Sequence, residues 1–314
     1  MTHKLNFLYC FDKNYNSQAL TSIISLLDHV NEEINISIIH SDKDFESKVP
    51  ENIKNHRYLN SIKIEQFNDF NYFFPNTENV HITEATYYRI FIDNYLNKKV
   101  KNFIFLDCDT ICLNNPIPQI KSEIEKLNKN GFVVSARTEH EKEINVTNEI
   151  YKRLDMNGPY FNAGVMIINF EKWIKNNMKD KLIHNLKQYK NEISQWDQDV
   201  LNSVIDGDYL ELDVGFNFPA SKLNKKKQIT NNLFFLHFLG SKKPWLTSGV
   251  FNFASEFYHL NFRKIFSNYY HIEHKWKRAS IYELLKSIFS LKIRNLSKPV
   301  IYIDEFVKSI LKKK

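Results

Sequence analysis

The chain has 314 residues, of which 43% are hydrophobic and 25% are charged. This composition excludes a disordered chain and is typical of a globular protein that forms one large α/β domain with an appendage, or two modest domains. The formal net charge of +7 indicates anionic partners such as phosphates, acidic lipids or nucleic acid.

Neither a leader nor a membrane span is predicted. The apolar stretch in "MTHKLNFLYCFDKNYN" is too short for a signal peptide, and no later segment is long and uncharged enough to cross a bilayer. The three cysteines, Cys10, Cys108 and Cys112, include no C-x-x-C pair. A disulfide framework or a structural zinc site is therefore not expected, and we predict a cytoplasmic protein.

The first hundred residues alternate between strand and helix patterns. "KLNFLYC", "INISIIH" and "SIKIEQF" read as strands, and "NSQALTSIISLLDHV" has apolar residues at helical spacing. "TEATYYRIFIDNYL" is predicted as a helix capped by Thr83, followed by the strand "NFIFL". This alternation favours a largely parallel sheet covered by helices.

Later segments continue the pattern. "GFVVSA", "FNAGVMIIN" and "NLFFLHF" are predicted strands, while "EKWIKNNMKDKLIHNLKQY" and "SQWDQDVLNSVI" are predicted helices, the second capped by Ser194. From about residue 262 the composition becomes basic and amphipathic. We therefore predict an α/β domain over residues 1–262 and a basic helical tail over residues 263–314.

One face of the predicted tail helix is apolar. The basic residues Lys286, Lys292 and Arg294 lie outside this apolar face. The apolar positions are Ile281, Leu284, Leu285, Ile288 and Phe289.

Two carboxylates follow the strand "NFIFL". Side chains alternate along a strand, so Asp107 and Asp109 point to one face and Cys108 points to the other. Two close carboxylates repel, and their placement at the carboxyl end of a sheet suits a divalent cation between them and a phosphate. The alternative is that both aspartates only cap the turn before "NNPIP".

The stretch "FFLHFLGSKKPW" contains a second candidate set. His237 lies in an apolar strand, where a histidine is usually a core residue. Gly240 permits close backbone approach, and Lys242 and Lys243 supply charge for a diphosphate. His237 together with two aspartates would form a mixed nitrogen and oxygen set suited to manganese or magnesium.

Three weaker signals remain. In "SQWDQDVLN", the trio Asp197, Gln198 and Asp199 would suit sugar hydroxyls, although acids in a first helical turn also favour the helix dipole. In "CFDKNYN", Asp12 and Asn14 could read a base or ribose and Tyr15 could stack on a base, unless Asn14 only caps the next helix. Arg89 and His81 are single polar residues near an apolar helix.

These motifs, in this order, resemble the retaining glycosyltransferases of family eight, especially the bacterial lipopolysaccharide galactosyl- and glucosyltransferases. The match runs over roughly the first 250 residues. "FNAGVMIIN" and H-x-x-G-x-x-K-P-W are more specific than D-x-D. The resemblance implies the GT-A fold, a Rossmann-like and mainly parallel mixed sheet flanked by helices.

The resemblance also implies a role for each matched residue. Asp107, Asp109 and His237 would bind Mn²⁺ or Mg²⁺, and Gly240 and Lys243 would contact the diphosphate of UDP. The residues matched to the nucleotide site are Cys10, Asp12, Asn14, Tyr15 and the backbone of Cys108. Those matched to the donor sugar are Arg89, Asn162, Ala163, Asp197 and Gln198. His81 matches a position near both donor and acceptor.

The implied reaction moves galactose or glucose from a UDP-sugar to a glycan acceptor, such as lipopolysaccharide or another cell-surface saccharide. The metal and Lys243 would stabilise the charge of the leaving UDP. Gln198 is an amide and a poor nucleophile, which favours front-face attack with a donor phosphate oxygen taking the acceptor's proton. The basic tail resembles the membrane-associating tails of lipopolysaccharide enzymes, whose acceptor is a lipid-linked glycan. The resemblance implies that the tail binds the anionic inner face of the cell membrane, unless its helices pack on the domain or on a partner.

Other readings are weaker. A phosphatase of the haloacid dehalogenase type also has D-x-D after a strand, but here Thr110 follows Asp109 without the usual glycine, and the pair lies deep in the chain. An inactive sugar-binding protein would not need the metal and diphosphate residues. No nucleic-acid module, G-x-G-x-x-G or P-loop motif is present, and the stretch at 136–160 carries no motif that identifies the acceptor.

Overall fold

A computed structural model describes residues 4–69, 71–75, 83–139 and 149–312. The strands are β1 Asn6–Phe11, β2 Ile34–His40, β3 Leu59–Gln66, β4 Asn102–Leu106, β5 Thr110–Cys112, β6 Val134–Thr138, β7 Phe161–Asn169, β8 Leu210–Glu211, β9 Phe218–Pro219 and β10 Phe235–His237. The α-helices are α1 Asn16–His29, α2 Glu51–Lys54, α3 Ile92–Tyr95, α4 Ile117–Asn130, α5 Glu149–Arg153, α6 Phe170–Lys175, α7 Met178–Gln188, α8 Trp196–Ile205, α9 Ser255–Phe262, α10 Lys277–Phe289 and α11 Pro299–Leu311.

Among the described residues the main sheet has seven strands in the order β3-β2-β1-β4-β7-β6-β8. β1 to β4 run parallel, and β7 is antiparallel to both β4 and β6. The carboxyl end of β4 therefore meets the amino end of β7, with Leu106 opposite Val165. This confirms the predicted mixed, mainly parallel sheet and brings the acid pair beside the start of "FNAGV".

Alternation along β1 explains why helices cover both faces. Phe7, Tyr9 and Phe11 belong to the core under α1, whereas Leu8 and Cys10 belong to the core on the opposite face. Each is nearly or completely buried. Burying one large apolar side chain contributes about 2 kcal/mol, so this strand is held from both sides.

A second sheet places His237 beside the acid pair. In it β10 pairs antiparallel with β5 and parallel with β9. His237 lies opposite Thr110 on one side and opposite Pro219 on the other. Because Thr110 directly follows Asp109, the register of this small sheet brings the histidine to the end of β4.

Some predicted element boundaries were wrong. Residues Glu84–Phe91 form a 3₁₀ helix, and the Thr83 side chain makes no capping hydrogen bond. The residues of this segment from 87 to 91 are all buried, so tertiary contacts on every side override a simple amphipathic helix. The predicted long helix after β7 breaks into α6 and α7 at Asn177, whose φ is 52°.

The cap predicted for α8 was also wrong. This helix begins at Trp196, and neither Ser194 nor Gln195 supplies a side-chain cap. Instead, the backbone amides of Ser194 and Gln195 donate to Asp199 Oδ2 at 2.7 and 2.8 Å.

The C-terminal helices pack on the α/β domain through one apolar cluster. It joins Val250 and Phe251 to Tyr270, Leu284 and Tyr302. Of the predicted apolar face on α10, Leu284 alone is buried, while Ile281, Leu285, Ile288 and Phe289 are exposed. In the part of the chain that the structure describes, no helix is both long and apolar enough to cross a membrane.

Candidate active site at the edge of the sheet

The acid pair is held by a tight turn at the end of β4. The Asp107 amide donates to Gly164 O at 2.8 Å, and Asp107 O accepts from Thr110 Oγ1 at 2.8 Å. Asp109 is buried and Asp107 is partly exposed. Cys108 is buried in the core under α1, although residues 107–109 form a turn and not the continued strand that the alternation argument assumed.

Asp107, Asp109 and His237 meet at one point. His237 Nε2 lies 3.1 Å from Asp109 Oδ1 and 3.8 Å from Asp107 Oδ2. One ligand atom from each of the three residues lies within 4.8 Å of the others. Two carboxylates and one imidazole are a donor set that manganese or magnesium accepts.

The orientation of His237 suits metal binding. Its Nδ1 lies 2.8 Å from Asn217 Oδ1, an oxygen that can only accept, so Nδ1 donates to it and Nε2 is the nitrogen that faces the two aspartates. Asn217 Nδ2 in turn donates to Asn162 Oδ1 at 2.8 Å. Such outer partners orient metal ligands in many metalloproteins, and the residues therefore fit a divalent cation.

Gly164 leaves the space that this arrangement needs. A Cβ atom at this position would lie 2.2 Å from His237 Cε1 and 2.9 Å from Asp107 Oδ2. Real Cβ atoms do not approach other atoms so closely. The glycine of "FNAGV" is therefore required by the close approach of His237 to β7.

Lys243 completes the charged cluster. Its side chain is 6% exposed, and its Nζ pairs with Asp109 Oδ2 and donates to Phe238 O at 2.7 Å. Burial alone would raise the pKa of Asp109, but the charges of Lys243 and His237 hold that pKa well below its usual range. Gly240 adopts a φ of +73°, and the space where its Cβ would lie is open.

Arg89 links the acid pair to α8. Its Nη2 donates to Asp107 Oδ1 at 3.0 Å, and its Nη1 donates to Ala163 O at 2.6 Å. Its Nε lies 2.6 Å from Asp197 Oδ2 but donates its proton to Thr86 O at 3.3 Å. One buried guanidinium thus connects three of the predicted site segments.

Asp197 is a buried carboxylate that forms an ion pair with Arg89. Thr86 Oγ1 donates to its Oδ1, but no described residue donates a hydrogen bond to its buried Oδ2. Burial raises the pKa of this carboxyl to about 6, against the opposing charge of Arg89.

Gln198 is held at both ends of its amide. Its Oε1 accepts from the Ala163 amide at 3.0 Å, and its Nε2 donates to Glu139 Oε2 at 2.7 Å and Tyr160 Oη at 3.2 Å. The Glu139 carboxylate is exposed. Sequence reasoning missed Glu139 because its segment carries no motif, and it missed Asn217 because only the pairing of β9 with β10 brings that residue to His237.

Asp199 does not belong to the predicted sugar-reading trio. It is fully buried and binds Arg153, Tyr160 and the backbone amides that precede α8. Every one of these partners is structural. Asp199 therefore anchors the start of α8, which positions Asp197 and Gln198.

The end of the site that is predicted to bind the nucleotide is an open cleft. Asp12 accepts from the Asn14 amide at 2.9 Å and caps the short 3₁₀ helix Lys13–Tyr15, so the alternative that Asn14 caps α1 was wrong. Tyr15 lies edge-on to Trp245, with ring centroids 6.2 Å apart. The cleft is lined by Cys10, Phe11, Tyr15, Thr83, Ala85, Thr86, Arg89, Asp107, Cys108, Asp109 and Lys243. His81 lies outside the described residues.

Comparison with solved structures supports the fold. The chain is similar to the crystal structure of a galactosyltransferase, LgtC, in complex with donor and acceptor sugar analogues. The TM-score is 0.68 and the identity is 20%, over 88% of this chain and 100% of that chain. At this identity the likeness shows the shared GT-A architecture.

Two curated relatives extend the comparison. General stress protein A of Bacillus subtilis is 27% identical over 81% of this chain and 92% of its own length. Lipopolysaccharide 1,3-galactosyltransferase of Salmonella typhimurium is 30% identical over 58% of this chain and 55% of its own length. Residues 6–249 match the family model described as glycosyl transferase family 8. The chain is therefore a glycosyltransferase and belongs to family 8.

Proposed function

We propose that this enzyme transfers galactose or glucose from a UDP-hexose, with retention of configuration, to a glycan acceptor of lipopolysaccharide or another cell-surface saccharide. The convergence of Asp107, Asp109 and His237 beside an open cleft carries the proposal. Family membership and the relative named as a lipopolysaccharide galactosyltransferase support the class of donor and acceptor.

Mn²⁺ or Mg²⁺ held by these three residues would supply positive charge to the diphosphate of the donor. Asn217 keeps the proton of His237 on Nδ1, so Nε2 is available as a ligand. Lys243, which pairs with Asp109 and lines the cleft, would share that charge with the leaving UDP. Donors fixed where charge develops stabilise a transition state more than a ground state.

The residues beyond the acid pair would hold the hexose. Asp197 and Gln198, at the start of α8, would lie beside the donor sugar, and Arg89 fixes the Asp197 carboxylate relative to Asp107. Gln198 presents an amide, which is a poor nucleophile, so a covalent intermediate on this residue is disfavoured. Retention by front-face attack, with a donor phosphate oxygen accepting the proton of the acceptor, agrees with these side chains.

The test is a panel of UDP-sugars with and without MnCl₂, with release of UDP as the readout. We expect manganese-dependent release from UDP-galactose or UDP-glucose, and loss of at least about 100-fold for Asp109→Asn, since a ligand of the cation is removed. Asp44→Asn, an exposed carboxylate outside the site, is the matched control. Hydrolysis of phosphate monoesters alone, or full activity of the Asp109 variant, would overturn the proposal.

We further propose that the C-terminal helices rest on an anionic membrane that carries the acceptor. Residues 263–314 hold 13 of the 43 lysines and arginines but only four of the 36 acidic residues. Phe289 is 85% exposed and Val300 is 79% exposed. Exposed apolar side chains among lysines are typical of helices that lie in the bilayer interface.

Cosedimentation with vesicles of phosphatidylglycerol and phosphatidylcholine tests this. Phe289→Ser combined with Val300→Ser is expected to reduce the bound fraction several-fold, since two insertable side chains are lost. Leu260→Ser, an exposed apolar residue outside the tail, is the control. Equal binding of all three proteins would refute membrane docking by this face.

A further inference from the structure

One stretch next to the site has an unusual charge. Residues 214–255 contain six lysines and no aspartate or glutamate. Lys243 pairs with Asp109. The other lysines are exposed and form no ion pair with any residue that the structure describes, namely Lys222, Lys225, Lys226, Lys227 and Lys242.

Most of these lysines lie on an ordered loop, residues 221–228, which we call the lysine loop. Leu223 is buried in the same cluster as Phe238 and Trp245. The Gln228 side chain closes the loop, because its Oε1 accepts from the amides of residues 224 and 225 at 2.8 and 2.9 Å, and its Nε2 donates to Lys222 O at 3.1 Å. The lysines are therefore displayed from a fixed backbone.

A cavity of about 250 Å³ lies between the lysine loop and the loop that follows β10. Its polar lining is Ser221, Ser241, Lys242 and Asn252. The strands that lead into these two loops pair with each other, with Pro219 opposite His237. The cavity lining thus includes Phe238, which directly follows the candidate metal ligand His237, and Lys242, which directly precedes Lys243.

We propose that this cavity and the lysine loop form an acceptor subsite for a phosphate group on an anionic glycan. The inference rests on the proposed function and names the class of acceptor. Hydroxyl and amide groups can donate to phosphate oxygens, and ammonium groups add charge-assisted hydrogen bonds. A neutral saccharide offers no charge to balance so many lysines without acidic partners, whereas a phosphate carries close to two negative charges.

The experiment uses the full-length protein with saturating UDP and MnCl₂, so that the donor site is filled. Glucose 6-phosphate and glucose are then titrated by calorimetry. We expect glucose 6-phosphate to bind at least about 10-fold more tightly than glucose, because charge-assisted hydrogen bonds contribute about 1.5 kcal/mol or more. This preference should weaken as NaCl is raised.

The double variant Lys222→Gln with Lys242→Gln should lose most of that preference. The matched control, Lys181→Gln with Lys190→Gln, removes two exposed lysines from the surface around α7 and should keep it. Melting temperatures of both variants report whether each one folds. UDP titration reports whether the donor site is intact.

Equal binding of glucose and glucose 6-phosphate, or an unchanged preference in the Lys222 and Lys242 variant, would overturn the subsite. Lysine-dependent binding to phosphatidylglycerol vesicles without selectivity for the sugar phosphate would also overturn it and assign the patch to lipid. Turnover of UDP-hexose, measured on the same samples, tests the proposed hexosyl transfer separately from the proposed phosphate subsite. Phosphate selectivity without any turnover would refute hexosyl transfer, and turnover without selectivity would refute the subsite alone.

Discussion

Arg89 Nε lies 2.6 Å from Asp197 Oδ2, and both side chains are almost completely buried. The same guanidinium donates to Asp107 and to the Ala163 carbonyl. This single cation therefore balances two carboxylates that would otherwise repel each other at the edge of the sheet. Its position couples the candidate metal ligands to the residues proposed to hold the donor sugar.

Removing that cation should damage stability and activity together. Arg89→Met leaves Asp197 buried without its partner, and breaking a buried ion pair costs about 3 to 5 kcal/mol. The free energy of unfolding from urea titration is the measurement. The double variant Arg89→Met with Asp197→Leu should recover much of the stability but no activity, whereas equal stability of the single variant and the native protein would contradict this role.

Titration of Asp197 should make the stability of the protein depend on pH. Its pKa of about 6 in the folded protein exceeds the value of about 4 expected when unfolded, so the folded state binds the proton more tightly. Protonated Asp197 stabilises the folded state below about pH 4. About 2 kcal/mol of this stabilisation is lost as the pH rises through 6. Urea unfolding of the metal-free protein at pH 4.5 and pH 7 should show the loss, and Asp197→Asn should reduce it. An identical pH dependence in the variant would show that Asp197 titrates normally.

Asn217 should control metal affinity without contacting the metal. Asn217→Leu removes the acceptor that fixes the proton on His237 Nδ1, and loss of such a partner typically lowers metal affinity 10- to 100-fold. Asn217→Asp keeps an acceptor at this position and should retain most of the affinity. Calorimetric titration with Mn²⁺ measures both, and equal affinities for the Leu and Asp variants would refute the orienting role.

Glu139 should affect turnover through Gln198. Glu139→Ala removes one of the two acceptors of the Gln198 amide nitrogen, so we expect kcat to fall about 10-fold with little change in the KM for the donor. Glu139→Gln retains an oxygen acceptor and should recover part of the loss. A rise in KM with unchanged kcat would instead place Glu139 in ground-state binding.

The segment after residue 262 should support the donor cleft. The Glu273 amide donates to Trp245 O at 2.8 Å, and its carboxylate accepts from Gln18 at 2.9 Å. His259, on α9 just before this segment, donates to Pro244 O at 3.1 Å, and burial lowers the pKa of its imidazole to about 3, so it stays neutral. These contacts hold the loop that carries Lys243 against α1.

Glu273→Ala should therefore raise the KM for the UDP-sugar several-fold while kcat falls less. Glu273→Gln keeps the acceptor for Gln18 and should be milder. Glu305→Ala, which loses contacts to the amides of Tyr269 and Tyr270 away from the cleft, controls for a general loosening of the C-terminal helices. A similar rise in KM for the Glu305 variant would argue against a specific role for Glu273.

The sequence predicted the fold and three polar residues that the structure brings together, because these lie on strands with strong patterns or in distinctive motifs. Asp107, Asp109 and His237 were found in this way. Glu139, Asn217 and the true role of Asp199 were not, because each depends on contacts between segments far apart in the chain. The extent of α6 and the 3₁₀ winding at Glu84–Phe91 were likewise set by tertiary packing.

The sequence also did not predict how the C-terminal helices are oriented on the domain. Their basic and amphipathic pattern was visible, but periodicity alone cannot tell which apolar residues face the protein. Leu284 turns inward onto the cluster around Tyr302, while its neighbours on α10 stay outside. Only the docked position of the helix separates the two groups.

The crowding at Gly164 offers a way to sort related chains by inspection. In a homologue with alanine or a larger residue at this position, the equivalents of His237 and Asp107 cannot adopt the positions that they have here, even if both residues are present in its sequence. Such a chain would be a pseudoenzyme or would bind its cation with different ligands. A motif search that demands D-x-D and the histidine but ignores this glycine would therefore count inactive relatives as working transferases.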